Sequence, residues 1–129
     1  MESSRAIHSF EDLECWRACR RLRLFVAKTV VPVLPEQERF RLIDQILRAA
    51  RSTTANIAEG FGRFHYSDNA RFCSNARGSA SEVMDHLITA HDESMINAEV
   101  LAEGRNHVAE AMKLINGYMA YLKRVAAGQ

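Results

Sequence analysis

The most constraining feature of this sequence is an alternation of core-type residues at steps of three and four. Between residues 40 and 64 it passes through Phe40, Ile43, Leu47, Ala50, Thr54, Ile57, Phe61 and Phe64. A β-strand repeats every second residue and cannot produce this spacing, whereas an α-helix gathers it into one stripe. The stretch therefore predicts a long amphipathic helix with a seam for packing against other helices.

Two later segments show the same alternation, and a first segment shows it more loosely. The third segment has it at Cys73, Ala76, Ala80, Val83, Leu87 and Ala90. The fourth has it at Val108, Ala111, Ile115, Tyr118, Leu122 and Val125. The inner face of the first is predicted at Leu13, Trp16, Leu22, Val26 and Val30.

Residues that begin and end helices bound these segments. Ser9 and Asn97 have the short polar side chains of N-cap residues. Pro35 suits the first position of the second helix, and Ser67 or Asp68 can cap the third. The four helices are predicted over residues 10–31, 36–64, 68–91 and 98–126.

These helices define an all-α fold class. Short connections make consecutive helices antiparallel, so we predict an antiparallel up-down-up-down four-helix bundle. A chain of 129 residues, 47% of them hydrophobic, is long enough for one domain with its own core. We expect a single domain over residues 1–129, with flexible tails at 1–9 and 127–129.

The composition indicates the cellular compartment of the protein and whether it contacts a membrane. The longest run without a charged residue, Leu114 to Leu122, is far short of the roughly 20 residues that span a bilayer. The N-terminus has no apolar stretch with a cleavage site, and three cysteines are best interpreted as reduced thiols. We therefore expect a cytoplasmic protein without membrane contact.

The stretch TTANIAEGFGRF, residues 53 to 64, allows three interpretations. A phosphate-binding loop at Gly60 and Gly62 would need a preceding strand, and none is predicted. A general base at Glu59 would need a second catalytic group at suitable spacing, and none is found. The favoured interpretation is a close helix crossing, in which the stretch with Gly60 and Gly62 faces the small residues of the third helix, Ala76, Gly78, Ser79, Ala80 and Ser81.

Polar residues in the same stretch predict a network that sets helix register. Glu59 and Arg63 are four residues apart, in the favourable order for an ion pair, and Asn56 lies one turn earlier. Arg77 and Glu82 of the third helix are candidate partners. Cys15, Cys19 and Cys73 lack the spacing of a zinc site and are expected to be buried thiols, so no metal or cofactor is predicted.

A net charge of +1 conceals a basic first helix. Its basic residues are Arg17, Arg20, Arg21, Arg23 and Lys28, and the second helix adds Arg48 and Arg51. These are either solvated side chains paired with neighbouring acids or a phosphate-binding surface, whose binding would depend on salt. Aromatic residues do not alternate with them, which favours recognition of nucleic-acid shape or backbone over base stacking.

Three segments resemble a known family: FEDLECW, QILRAARSTTANIAEGFGRF and NARGSASE. In this order and at these distances they resemble the four-helix-bundle proteins encoded in 23S ribosomal RNA intervening sequences, over residues 10 to 124. The family pattern falls on Asn56, Glu59, Gly60, Arg63, Arg77, Gly78, Ser79 and Glu82. The resemblance implies assembly into rings of five. It also implies a relationship to the accessory variability protein of diversity-generating retroelements, which binds nucleic acid and a reverse transcriptase through basic surface.

The leading hypothesis is a non-enzymatic homo-oligomer, a pentamer by resemblance, that binds structured RNA or an RNA–protein complex through its basic surface. The alternative is a protein-interaction scaffold that recruits a partner such as a polymerase and has no direct role with nucleic acid. An enzyme or a metal protein centred on Glu59 or the cysteines is the third and least supported hypothesis.

Overall fold

Four α-helices dominate the computed structural model, which describes residues 6–128. They are α1 (Glu14–Phe25), α2 (Leu42–Phe61), α3 (Tyr66–Asp92) and α4 (Ala98–Ala127). Each helix packs against the next, and α1 also packs against α4, which closes the bundle. The all-α class and the antiparallel up-down-up-down four-helix bundle are therefore confirmed. No helix of the described chain combines the length and the apolar character that crossing a membrane requires.

The predicted first helix, 10–31, is wrong as one continuous element. The structure divides it into a 3-10 turn at Phe10–Asp12, α1, a π turn at Val26–Val30 and a 3-10 turn at Val31–Val33. Leu13 is extended, with φ −78° and ψ 129°, and separates the first turn from α1. Pro32 has no backbone N–H and cannot continue an α-helical hydrogen-bond ladder, so the chain tightens there.

The predicted tails, 1–9 and 127–129, fall partly outside the described residues, which exclude 1–5 and 129. Among the described residues of the first tail, Ser9 is the helix cap that the sequence predicts. Its hydroxyl accepts a hydrogen bond from the Glu11 N–H at 3.0 Å, and its own N–H donates to the Asp12 carboxylate at 3.1 Å. This reciprocal capping satisfies backbone groups at the start of the fold.

The second helix is shorter than predicted, and its buried stripe is displaced. It begins at Leu42, and Pro35 caps a separate 3-10 turn, Glu36–Glu38. Phe40 and Phe64, the predicted ends of the seam, are 82% and 93% exposed. The buried residues are Leu42, Ile46, Ala49, Ala50, Thr53, Thr54, Ile57 and Gly60. Only the middle of the predicted seam lies in the core.

The third and fourth helices follow their predicted patterns closely. All six predicted seam residues of α3 are buried. Asn97 caps α4 as predicted, because its side chain accepts a hydrogen bond from the Val100 N–H at 2.8 Å. The predicted caps of α3 are wrong: the cap position is His65, and Ser67 and Asp68 lie inside the helix.

The close crossing of α2 and α3 depends on Gly60. A Cβ atom added there would lie 2.7 Å from Asn69 Oδ1, 2.9 Å from Phe72 Cβ and 3.0 Å from the Asn69 carbonyl oxygen. The surface opposite Gly60 is therefore Asn69 and Phe72, not the predicted run from Ala76 to Ser81. A Cβ on Gly78 would meet nothing within 4 Å.

Candidate nucleic-acid interface

An open groove of about 490 Å³ runs along the outside of the α1–α2 seam. Its lining residues are Phe10, Trp16, Arg23, Arg51, Thr54, Ala55 and Ala58. A second depression beside it is lined by Ser9, Glu11, Asp12, Trp16, Arg17, Arg20 and Arg21. Trp16 borders both, so the structure brings five of the seven predicted basic residues around one indole ring.

The helical repeat of α1 explains this arrangement. Trp16, Arg20 and Arg23 follow one another at steps of four and three, which places them on one stripe of the helix. The neighbouring stripe, including Cys15, Cys19 and Leu22, is buried. The guanidinium groups therefore stand at the border between the core-facing side of α1 and solvent.

Arg23 is held in position by a buried hydroxyl group. Its Nη1 donates to Thr54 Oγ1 at 2.8 Å, and Thr54 is 4% exposed. The Thr54 hydroxyl in turn donates to the Arg51 carbonyl oxygen at 3.2 Å. Because the hydroxyl is neutral, this contact orients the guanidinium without neutralising its charge.

Three other predicted basic residues are paired with carboxylates. Arg17 Nη1 lies 3.4 Å from the Glu14 carboxylate, and Arg21 Nη2 lies 2.8 Å from the Glu110 carboxylate. Arg48 Nε lies 3.3 Å from the Asp44 carboxylate on the outer face of α2. For these three arginines, the structure agrees with the solvated-face interpretation.

Arg20, Arg23 and Arg51 make no ion pair with any carboxylate of residues 6–128. They are the unneutralised positive charge around Trp16. Lys28 is exposed on the π turn and lines neither depression. The predicted set of seven is thus reduced by geometry to three guanidinium groups that remain open to an anion.

Two aromatic rings accompany these arginines, which the sequence pattern did not reveal. The Phe10 and Trp16 ring centroids are 5.3 Å apart, with a 58° angle between the planes. Both rings are half-buried and pack against the core. They precede the basic run in sequence, and the steps of four and three from Trp16 to Arg20 and Arg23 are the signal that could have placed this ring beside arginines.

Part of the predicted register network is present. The Asn56 Nδ2 group donates to the Ser52 carbonyl oxygen and to Ser52 Oγ, both at 2.9 Å. The Ser79 hydroxyl donates to Ser52 Oγ at 2.8 Å, which joins α2 to α3. Ser52, absent from the predicted network, is the residue that connects Asn56 with Ser79.

The remaining network residues form separate contacts. Arg63 Nη2 lies 2.8 Å from Glu59 Oε2, as the spacing predicts, and its guanidinium carbon lies 4.7 Å from the centre of the Phe72 ring. Glu82 contacts His86 Nε2 at 3.2 Å on its own helix. Arg77 is exposed and forms no ion pair within residues 6–128.

The cysteines are buried thiols. Burial raises the pKa of Cys19 to about 11 and that of Cys73 to about 12, and it also raises the pKa of Cys15. They are therefore protonated near neutral pH, the form that is a poor nucleophile and a poor metal ligand. Among the described residues, no group of three or more His, Cys, Asp or Glu side chains is placed to hold a metal ion.

A third concave region, of about 660 Å³, lies at the end of the bundle near Leu13, Tyr118 and Tyr121. Two of its polar side chains have partners: Asn69 Nδ2 donates to the Tyr118 hydroxyl at 3.0 Å, and Arg63 is paired with Glu59. Burial raises the pKa of Tyr118 to about 12. The α1–α2 groove, with its unpaired guanidinium groups, is the stronger candidate for an interface.

The fold and the groove define a small all-α protein: a four-helix bundle with basic residues around one open seam. The chain belongs to the family of 23S rRNA-intervening sequence proteins, whose family model matches residues 11–117. The match covers α1, α2, α3 and much of α4, so it includes every arginine of the groove. This is not a known enzyme family. No curated protein matches the chain.

Proposed function

We propose that this protein is a non-enzymatic, cytoplasmic homo-oligomer that binds structured RNA through the α1–α2 groove. The observation that carries the proposal is that Arg20, Arg23 and Arg51 line the two depressions that Trp16 borders and make no ion pair with a carboxylate of residues 6–128. Planar guanidinium groups match the geometry of phosphate oxygens, and their charge persists at any physiological pH.

The rest of the charge distribution supports a local site. With a net charge of +1, the whole molecule has little electrostatic attraction for a polyanion. Binding would therefore depend on the few guanidinium groups that are not already neutralised by carboxylates. Each phosphate that they contact releases counterions, which makes the affinity fall with salt.

The test is RNA binding by purified protein, measured by anisotropy of a labelled stem-loop across a salt series. The double variant Arg20→Gln, Arg51→Gln should weaken binding and lower the salt slope by about 1.4 to 1.8, since each lost phosphate contact removes roughly 0.7 to 0.9. The control is Arg105→Gln, Lys113→Gln, which removes the same charge from exposed sites on α4. Equal losses of RNA affinity in the two variants would mean that binding depends only on overall charge. That result would contradict a specific binding groove.

The oligomeric part of the proposal is supported by exposed apolar side chains. Phe40 and Phe64, at opposite ends of α2, are 82% and 93% exposed, which is costly for rings facing water. If the ring of five that the family resemblance implies forms, light scattering should give a mass close to five subunits of 14.6 kDa. The double variant Phe40→Ser, Phe64→Ser should shift the mass toward the monomer. A monomeric wild-type protein at micromolar concentration would contradict assembly.

A scaffold that recruits a protein partner, such as a polymerase, is the second candidate. The same exposed phenylalanines favour it, because large exposed apolar side chains are common in protein–protein contacts. The two candidates separate in one experiment. An intact oligomer that binds no RNA at about 50 mM salt supports the scaffold, whereas salt-sensitive binding that depends on Arg20 and Arg51 supports the RNA-binding role.

A further inference from the structure

We infer that the α1–α2 groove binds an unpaired nucleotide of the RNA, with the base stacked on Trp16 and the flanking phosphates bound by Arg20, Arg23 and Arg51. This inference rests on the proposed RNA binding and specifies its substrate class. It also reverses the expectation, drawn from the linear sequence, that no aromatic ring accompanies the basic residues.

The environment of Trp16 suits stacking. The ring is half-buried and supported by Phe10, whose centroid lies 5.3 Å away, so little side-chain freedom remains to be lost on binding. The Trp16 side chain also lines both the groove and the neighbouring depression. A paired base has both faces covered by its neighbours in the helix, whereas an unpaired base can offer a face to an aromatic side chain.

The arginines border Trp16 on two sides. Arg23 and Arg51 line the groove, and Trp16 lines both the groove and the adjoining depression. In that depression, three arginines (Arg17, Arg20 and Arg21) outnumber two carboxylates (Glu11 and Asp12). A nucleotide has a phosphate on each side of its base, so this arrangement complements the charge of a strand passing over the ring. Stacking platforms within basic grooves are the usual basis of single-strand binding.

The groove has few groups that could distinguish one base from another. Ala55 and Ala58 are apolar, and the Thr54 hydroxyl already accepts from Arg23 and donates to the Arg51 carbonyl oxygen. Base identity is read through hydrogen bonds to base edges, and stacking alone is tolerant of sequence. We therefore expect similar affinity for oligouridine and oligoadenosine, within about tenfold.

The test uses the fluorescence of Trp16, which is the only tryptophan in the chain. Single-stranded decamers of uridine or adenosine should quench it in a saturable way at low salt, and a blunt RNA duplex should not. In parallel, Trp16→Leu should weaken single-strand binding roughly 5- to 140-fold, measured by anisotropy of labelled oligonucleotide. The loss for a blunt duplex should be smaller, because its paired bases cannot stack on the ring. Tyr121→Leu, which removes an exposed aromatic ring on α4, is the matched control.

The possible outcomes of this test distinguish the stacking inference from the proposed RNA binding on which it rests. Salt-dependent, arginine-dependent RNA binding without quenching, and equal for single strands and duplex, would overturn the stacking and leave the proposed RNA binding intact. No binding of any RNA by folded wild-type protein would overturn both. Quenching in the wild type needs no variant, so the test holds even if Trp16→Leu is poorly folded.

Discussion

The two seams that flank α2 differ sharply, although small residues line both. On the α3 side, Gly60 lies against Asn69 and Phe72, and the Ser52 and Ser79 hydroxyls meet at 2.8 Å. On the α1 side, Ala55 and Ala58 leave an open groove. One set of small side chains brings two helices together, and the other leaves room for a ligand.

The difference lies in what stands opposite the small residues. Across from Gly60 is the backbone of α3, which cannot move aside, so the missing Cβ is required for packing. Across from Ala55 and Ala58 are the Trp16 ring and the Arg23 side chain of α1, and the groove between them and α2 is open. A small residue thus has a structural or a binding role according to its partner. The following substitutions test this, in decreasing order of their effect on the free energy of unfolding.

Gly60→Ala should have the largest effect. Its Cβ would lie within 3.0 Å of both a side chain and a backbone oxygen of Asn69, and overpacking of this kind costs roughly 1–3 kcal/mol. Gly117→Ala is the control, because nothing lies within 4 Å of its added Cβ, and it should stabilise the helix by about 1 kcal/mol. Urea denaturation of both variants measures the difference. Equal stabilisation by both would mean that the α2–α3 seam is not closed.

Ser79→Ala should have an intermediate effect. It removes the hydrogen bond across the α2–α3 seam and leaves Ser52 bonded to Asn56 only, a loss of about 1 kcal/mol. Ser81→Ala is a matched control on the exposed face of α3 and should stay within about 0.5 kcal/mol of the wild type. If Ser81→Ala destabilised the fold as much as Ser79→Ala, the hydroxyl contact would have no special role.

How well the buried face of each helix could be predicted from the sequence depended on the residue types at its buried positions. The α3 pattern placed Cys73, Ala80 and Leu87 correctly because apolar residues occupy its buried positions without interruption. On α2 the buried stripe includes Thr53 and Gly60, while Phe40 and Phe64 are exposed. Hydrophobicity therefore shifted the predicted seam away from the true one, where close approach needs small side chains.

The candidate site was harder to predict than the fold. The sequence pattern placed Trp16 on the inner face of the first helix and not with Arg20 and Arg23, and spacing within one helix contains no information about the neighbouring helix. The pairs Arg17–Glu14 and Arg48–Asp44 are local, but Arg21 is neutralised by Glu110, a partner far away in sequence. The groove itself exists only when α1 and α2 are packed.

Glu59→Ala should have a small effect on stability. The Glu59 and Arg63 side chains are 53% and 42% exposed, and solvent screens a pair of this kind, so we expect a loss of about 0.3–0.5 kcal/mol that disappears in 1 M salt. The measurement is urea denaturation at low and high salt, with light scattering on the same samples. A salt-independent loss above roughly 1.5 kcal/mol would contradict a simple surface ion pair. Dissociation of an oligomer without unfolding would place Glu59 at a subunit contact.

Ala55→Leu should change stability least and binding most. Ala55 is exposed on the groove wall, so a larger side chain meets no backbone and should alter the free energy of unfolding by less than about 0.5 kcal/mol. It would nevertheless occupy space beside Trp16 and should reduce quenching by oligouridine. Ala109→Leu, at an exposed position of α4, is the control for added apolar surface. If Ala55→Leu bound RNA normally while remaining folded, the open seam would not be the binding site, and the contrast between the two seams would concern packing alone.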